Sequence, residues 1–139
     1  MLTVYIVDDS LLIRERLTEL VADITGVEIV GQSGDPLEAL DSISDSHPDV
    51  VILDIRLPRR SGIDVLKSIK KESTPPIVLM ITNYPHRQYR QACMAEGADY
   101  FFSKIDEFEM IRETLSSIQP HQQNKIHNVR KGQKKGELS

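Results

Sequence analysis

This 139-residue chain has one cysteine, Cys93, so it cannot form an internal disulfide. Cys93 falls in a helical pattern where a small apolar residue would serve. A buried structural thiol is therefore favoured over a reactive one, and the expected compartment is the cytoplasm. No apolar run approaches the roughly 18–20 residues that a membrane-spanning helix needs. Met1-Leu2-Thr3 leads straight into a strand pattern, without the basic region and small-residue cleavage site of a signal peptide. Residues 120–139 have almost no apolar side chains, so they cannot bury a core. They also lack the apolar helical periodicity of a helix-turn-helix, and no DNA-binding domain is expected.

Charge is unevenly spread. The formal net charge is −4, yet Lys125, Arg130, Lys131, Lys134 and Lys135 against Glu137 give residues 120–139 a net +4, leaving −8 for residues 1–119. The expected organisation is therefore an acidic folded domain over 1–119 and a basic, polar, disordered tail over 120–139. An acidic body argues against nucleic acid as its main ligand.

The chain alternates short β-branched runs with amphipathic segments. Strands are expected at Leu2–Val7, Val27–Gln32, Val50–Asp54, Ile77–Ile81 and Ala98–Phe102. The first helix, from about Leu11 to Ile24, has Ile13, Leu17, Leu20, Val21 and Ile24 on one stripe, with Gly26 as its stop. Asp35-Pro36 is a helix start, with Leu37, Leu40 and Ile43 turned inward. Ser61 and Asp64 resemble a capping box for a third helix that faces the sheet with Ile63, Leu66 and Ile69. A fourth helix is expected from near Pro85 to Gly97. A fifth would be capped by Asp106 with Glu109, stapled by Ile105 and Met110, and continued through Phe108, Ile111, Leu115 and Ile118 to Pro120. Five strands alternating with five helices imply an α/β fold, a doubly wound parallel sheet in the order 2-1-3-4-5, flavodoxin-like (βα)5.

Val50-Val51-Ile52-Leu53 ends on one carboxylate, Asp54, at the strand tip where ligand crevices of such sheets lie. The other strand ends carry Asp8-Asp9, Thr82 and Lys104. Each has a plain reading: a helix-capping acidic pair, a turn threonine, a solvated lysine. Those readings would have to coincide at one sheet edge. Three carboxylates together repel one another unless a cation intervenes, and a hard ion such as Mg²⁺ suits oxygen donors. Zinc is disfavoured, because no histidine or second cysteine is placed nearby. A metal, a carboxylate, a hydroxyl and an ammonium suit phosphoryl transfer, with Asp54 as the oxygen nucleophile.

Asp8-Asp9, Asp54-Ile55-Arg56-Leu57-Pro58, Gly62, Thr82 and Lys104, in this order and spacing, resemble the receiver domain of two-component response regulators over about residues 2–119. The resemblance implies that Asp54 is the phosphoacceptor. It implies Mg²⁺, with Mn²⁺ as a substitute, bound by Asp9, Asp54 and the Arg56 backbone carbonyl, with Asp8 assisting. Thr82 and Lys104 would bind the phosphoryl group, and Phe101 would be the aromatic switch. The implied partners are a sensor histidine kinase or phosphotransfer protein and a downstream protein reading the face formed by helix four, strand five and helix five. Turnover of an external small molecule is not expected, only phosphoryl transfer to Asp54 and its hydrolysis.

The chain departs from the family pattern at Ile105, where proline usually follows the lysine. A cis bond before a non-proline costs roughly 2.5–4 kcal/mol, so a trans Lys104–Ile105 bond, or else local strain, is expected. Asn83 stands where a small residue is typical, Arg56 and Tyr84 flank the same entrance, and Phe101 lacks the hydroxyl of the commoner tyrosine. The alternatives are the receiver part of a truncated transcription regulator and a phosphate-independent binding module. An aspartyl-phosphate phosphatase would need a second aspartate at position 56, which is arginine. A flavodoxin-type carrier would need a phosphate loop where Asp8-Asp9 stands.

Overall fold

Apolar strands too short to close on themselves, interleaved with one-sided helices, can bury both sheet faces only by parallel crossover packing. The computed structural model has this arrangement, and it describes residues 1–128, with side chains for residues 1–118. Its elements are β1 (Leu2–Val7), α1 (Leu11–Ala22), β2 (Val27–Ser33), α2 (Pro36–Ser46), β3 (Val50–Asp54), α3 (Gly62–Ile69), β4 (Ile77–Thr82), α4 (Arg87–Ala95), β5 (Tyr100–Ser103) and α5 (Phe108–Asn128). The strands are parallel in the order β2-β1-β3-β4-β5. The peptide bonds of the described residues are all trans, Lys104–Ile105 included.

Strand parity divides the core in two. Val4 and Ile6 of β1, Val50 and Ile52 of β3, and Leu79 and Ile81 of β4 pack with Leu17, Leu20 and Val21 of α1 and Ile111 and Leu115 of α5. Tyr5 and Val7, Val51 and Leu53, and Val78 and Met80 face the opposite way, onto Ala39 and Ile43 of α2, Val65, Leu66 and Ile69 of α3, and Cys93 of α4. The central strand β3 is buried along its whole length, which fixes the position of the carboxylate at its tip.

Local chemistry starts three helices, at Asp35 and Ser61 as the sequence suggests and at Ser10 where the acidic pair Asp8-Asp9 was the capping candidate. Ser10, Asp35 and Ser61 each accept a hydrogen bond from the backbone N–H three residues on. Elsewhere the structure differs. Leu37 is exposed, because the inward stripe of α2 is Pro36, Ala39 and Ile43, with Leu40 half-buried. Ile63 is half-buried and packs against the core, where Gly62 and Val65 are buried with Leu66 and Ile69. A turn in which the His86 N–H donates to the Tyr84 carbonyl delays α4 until Arg87.

The staple expected from Ile105 and Met110 does not form, since both side chains are exposed, at 73% and 43%. Glu107 folds back on Ser103 instead: its Oε1 accepts from the Ser103 N–H, and its own N–H donates to the Ser103 carbonyl. That reciprocal pair occupies the turn, and α5 begins at Phe108. The same helix does not stop at Pro120 but runs to Asn128. Residues 120–128 of the expected disordered tail therefore have helical backbone, while residues 129–139 lie outside the described residues.

Candidate functional site

The carboxyl ends of β1, β3, β4 and β5 bring the chemistry-bearing residues to one sheet edge. Asp54 is the last residue of β3 and only 4% exposed. Its position depends on Gly62: a Cβ there would lie 1.9 Å from the Asp54 carbonyl oxygen. No side chain fits that space, so the loop can close over the strand end only with glycine. Asp8 and Asp9 follow β1. Asp8 is fully buried and Asp9 is exposed, so two acids adjacent in sequence occupy different environments. Carboxylate oxygens of Asp8, Asp9 and Asp54 all lie within 4.8 Å of one another.

Lys104, just past β5, is 6% exposed. Its Nζ lies 2.6 Å from Asp8 Oδ2 and 3.2 Å from Asp54 Oδ2. One ammonium thus serves two buried carboxylates. The balance is incomplete: Asp54 titrates at about 6, raised by burial and then by the Asp8 charge, with Lys104 and the Arg56 N–H opposing. Asp54 Oδ1 accepts from that Arg56 N–H at 3.3 Å. Among the described residues, Asp8 Oδ2 is the one buried side-chain atom without a well-aligned hydrogen bond, despite its closeness to Lys104. Hard oxygen donors crowded together and short of positive charge fit a divalent cation of the Mg²⁺ class.

Above these groups opens a cleft of about 390 Å³, lined by Asp9, Ser10, Leu12, Ile13, Asp54, Arg56, Asn83, Tyr84 and Lys104. The Arg56 guanidinium stands over the Tyr84 ring, 4.5 Å from its centroid, so the two side chains flanking the entrance are in contact. Thr82 is brought to the same edge at the end of β4 but is fully buried and does not line the cleft. Its Oγ1 accepts from the Tyr84 N–H at 2.9 Å. Phe101 lies away from the cleft, packed with Val78, Met80, Cys93 and Ala98, and Arg90 lies 5.5 Å from its ring centroid.

Sequence reasoning did not single out Arg14, whose guanidinium reaches the Asp8 carbonyl. A lone arginine on the polar side of an amphipathic helix carries no local signal of such a contact.

Comparison with known proteins agrees with this fold. The family model for the response regulator receiver domain matches residues 4–130. The sensory transduction protein LytT of Bacillus cereus is 35% identical over 127 residues, covering 91% of this chain and 50% of LytT. The chain spans about half the length of the first curated relatives it matches. Among solved structures, the response regulator domain of Thermotoga maritima CheB superposes with a TM-score of 0.77 at 26% identity, covering 90% of this chain and 98% of that one. The CheX–CheY–BeF₃–Mg²⁺ complex of Borrelia burgdorferi matches with a TM-score of 0.75 at 28% identity, covering 84% and 89%. No described helix is long and apolar enough to cross a membrane. The chain belongs to the receiver domains of two-component response regulators, a family whose general function is a phosphorylation-activated signalling switch.

Proposed function

We propose that Asp54 is the phosphoacceptor of this receiver, taking its phosphoryl group from a phosphohistidine of a sensor kinase or phosphotransfer protein in the cytoplasm. The observation that carries the reading is the buried Lys104 ammonium shared by Asp8 and Asp54 at the floor of an open cleft. A carboxylate oxygen of Asp54 attacks phosphorus in line, an O–P bond forms, the P–N bond breaks, and the imidazole leaves with the electron pair and is protonated. Asp9, Asp54 and the Arg56 carbonyl would hold Mg²⁺ or Mn²⁺, assisted by Asp8, and the bound cation supplies charge neutralisation for the phosphoryl oxygens. Lys104 turns toward a phosphoryl oxygen, and the Thr82 hydroxyl donates to another. Hydrolysis of the acyl phosphate by water then returns the carboxylate and releases inorganic phosphate.

Readout follows as a population shift. Movement of Thr82 and Lys104 toward the phosphoryl group is accompanied by repositioning of Phe101, which alters the α4–β5–α5 face that a downstream protein reads. The receiver unit is assigned to residues 1–119.

Intact mass after incubation with acetyl phosphate and Mg²⁺ tests the reading. One added phosphoryl group, absent from Asp54→Asn and from an EDTA control, is the expected result. An adduct that persists in Asp54→Asn would put the phosphoacceptor elsewhere.

A further inference from the structure

Asp8 has a close neighbour at each of its polar groups. Its N–H donates to the Ser33 carbonyl at 3.1 Å, its Oδ1 accepts from the Ser10 N–H at 2.8 Å, and its Oδ2 faces Lys104. The fourth group, its backbone carbonyl, accepts from Arg14 Nη1 at 2.6 Å, while Arg14 Nε donates to Gln32 Oε1 at 2.9 Å. The Asp8 carbonyl belongs to the peptide that leads into Asp9, so this contact sets the direction in which the Asp9 side chain leaves the loop. The space for the guanidinium exists because position 34 is glycine. A Cβ there would lie 2.9 Å from Arg14 Nη1, 3.2 Å from the Asp9 Cα and 3.4 Å from the Asp8 carbonyl oxygen.

We infer that Arg14, seated on Gln32 and Gly34, is a positioning residue that aims the Asp8-Asp9 peptide and thereby sets the divalent-cation affinity of the cleft. The inference rests on the cation-binding reading given above. A planar guanidinium with fixed donors can hold a carbonyl and an amide oxygen together, whereas a lysine offers a point charge on a flexible stem. The partner's chemistry matters too. Arg14 is half-buried and spends its donors on neutral oxygens, so it orients the loop rather than neutralising a carboxylate. A purely electrostatic role would have the opposite sign: removing a cation beside three carboxylates would tighten cation binding.

The sign separates the two. Mn²⁺ binding to the metal-free protein, read from loss of the free-ion paramagnetic resonance signal, is compared for wild type, Arg14→Ala, Arg14→Lys and Gly34→Ala, with circular dichroism to confirm folding. Expected is about tenfold weaker binding in Arg14→Ala, the size usual when a group that orients a ligand is lost. Arg14→Lys should be weaker by a smaller factor, and Gly34→Ala weaker because it displaces the same contact from the other side. Phosphorylation of Arg14→Ala at saturating Mn²⁺ should return to the wild-type level. Arg14→Ala binding as tightly as wild type, or tighter, overturns the inference. Should Arg14→Ala not fold, wild-type affinity in both Arg14→Lys and Gly34→Ala overturns it equally. Wild type failing to bind Mn²⁺ removes the cation reading itself, and the inference with it.

Discussion

Replacing Asp54 with asparagine should make the metal-free protein more stable at neutral pH. Asp54 is 4% exposed and shares one ammonium with Asp8, and its carboxyl titrates at about 6 against an ordinary 3.8. An acid whose folded pKa is raised binds its proton more tightly in the folded state. Its contribution to stability is therefore complete below about pH 4 and is lost as pH rises through about 6. A shift of this size corresponds to an upper bound of ~3 kcal/mol above that window, and local water entry reduces it to about 1–2 kcal/mol. Asparagine keeps the shape and an oxygen for the Arg56 N–H, and leaves Lys104 with Asp8 at 2.6 Å. Urea unfolding in EDTA at pH 4 and pH 7.5 measures the effect. The two proteins should be nearly equal at pH 4, and Asp54→Asn more stable at pH 7.5, by several degrees in a thermal scan. Mg²⁺ should raise the stability of wild type and narrow the gap, because a ligand that binds only the folded state stabilises it. Equal stability at pH 7.5, or the same difference at both pH values, refutes the charge argument.

Opening the cleft should shorten the life of the acyl phosphate. Loss of the Arg56–Tyr84 contact in Tyr84→Ala or Arg56→Ala removes a stacked pair worth about 1 kcal/mol, roughly fivefold in the rate of phosphoryl loss followed by intact mass; unchanged rates would mean that the pair does not screen Asp54 from water. Cys93 is fully buried and its thiol is pushed up to about 11 by that burial. A thiol reagent at pH 8 should therefore react with it only at the rate of unfolding and at once in urea, and fast native reaction would place the thiol at the surface.

What was legible in the sequence is what local pattern controls. β3 could be read from Val50-Val51-Ile52-Leu53 because a strand buried on both faces needs nothing but apolar side chains. Its ending at Asp54 put a carboxylate where parallel sheets bind ligands. The caps at Asp35 and Ser61 are three-residue interactions and were equally visible, whereas α1 is capped by Ser10 and not by the acidic pair before it. The outcome of competition between such local contacts was not visible, nor were contacts between distant segments. The Ile105–Met110 staple was a sound local inference that lost to Glu107 folding back on Ser103. Leu37 looked inward by composition, but α2 is rotated so that Pro36, Ala39 and Ile43 meet the sheet.

Asp8 and Asp9 show where such reading stops, and why the stop matters for function. As sequence they are one acidic pair before a helix. In the fold, Asp8 turns under the sheet edge to hold Lys104, while Asp9 stays exposed on the cleft wall. The division follows from the end of β1. The Asp8 N–H continues the strand's pairing with β2 through Ser33, so its side chain keeps strand parity. Asp9 has already left the ladder. An acid in the buried position restrains the lysine, and an acid in the exposed position remains available to a cation. Exchanging those environments would leave the composition unchanged and remove the site's chemistry, because a solvated Asp8 would no longer hold the ammonium against Asp54. The carboxylates therefore act through the step from strand to loop between positions 8 and 9, and a count of acidic residues at the sheet edge does not capture that step.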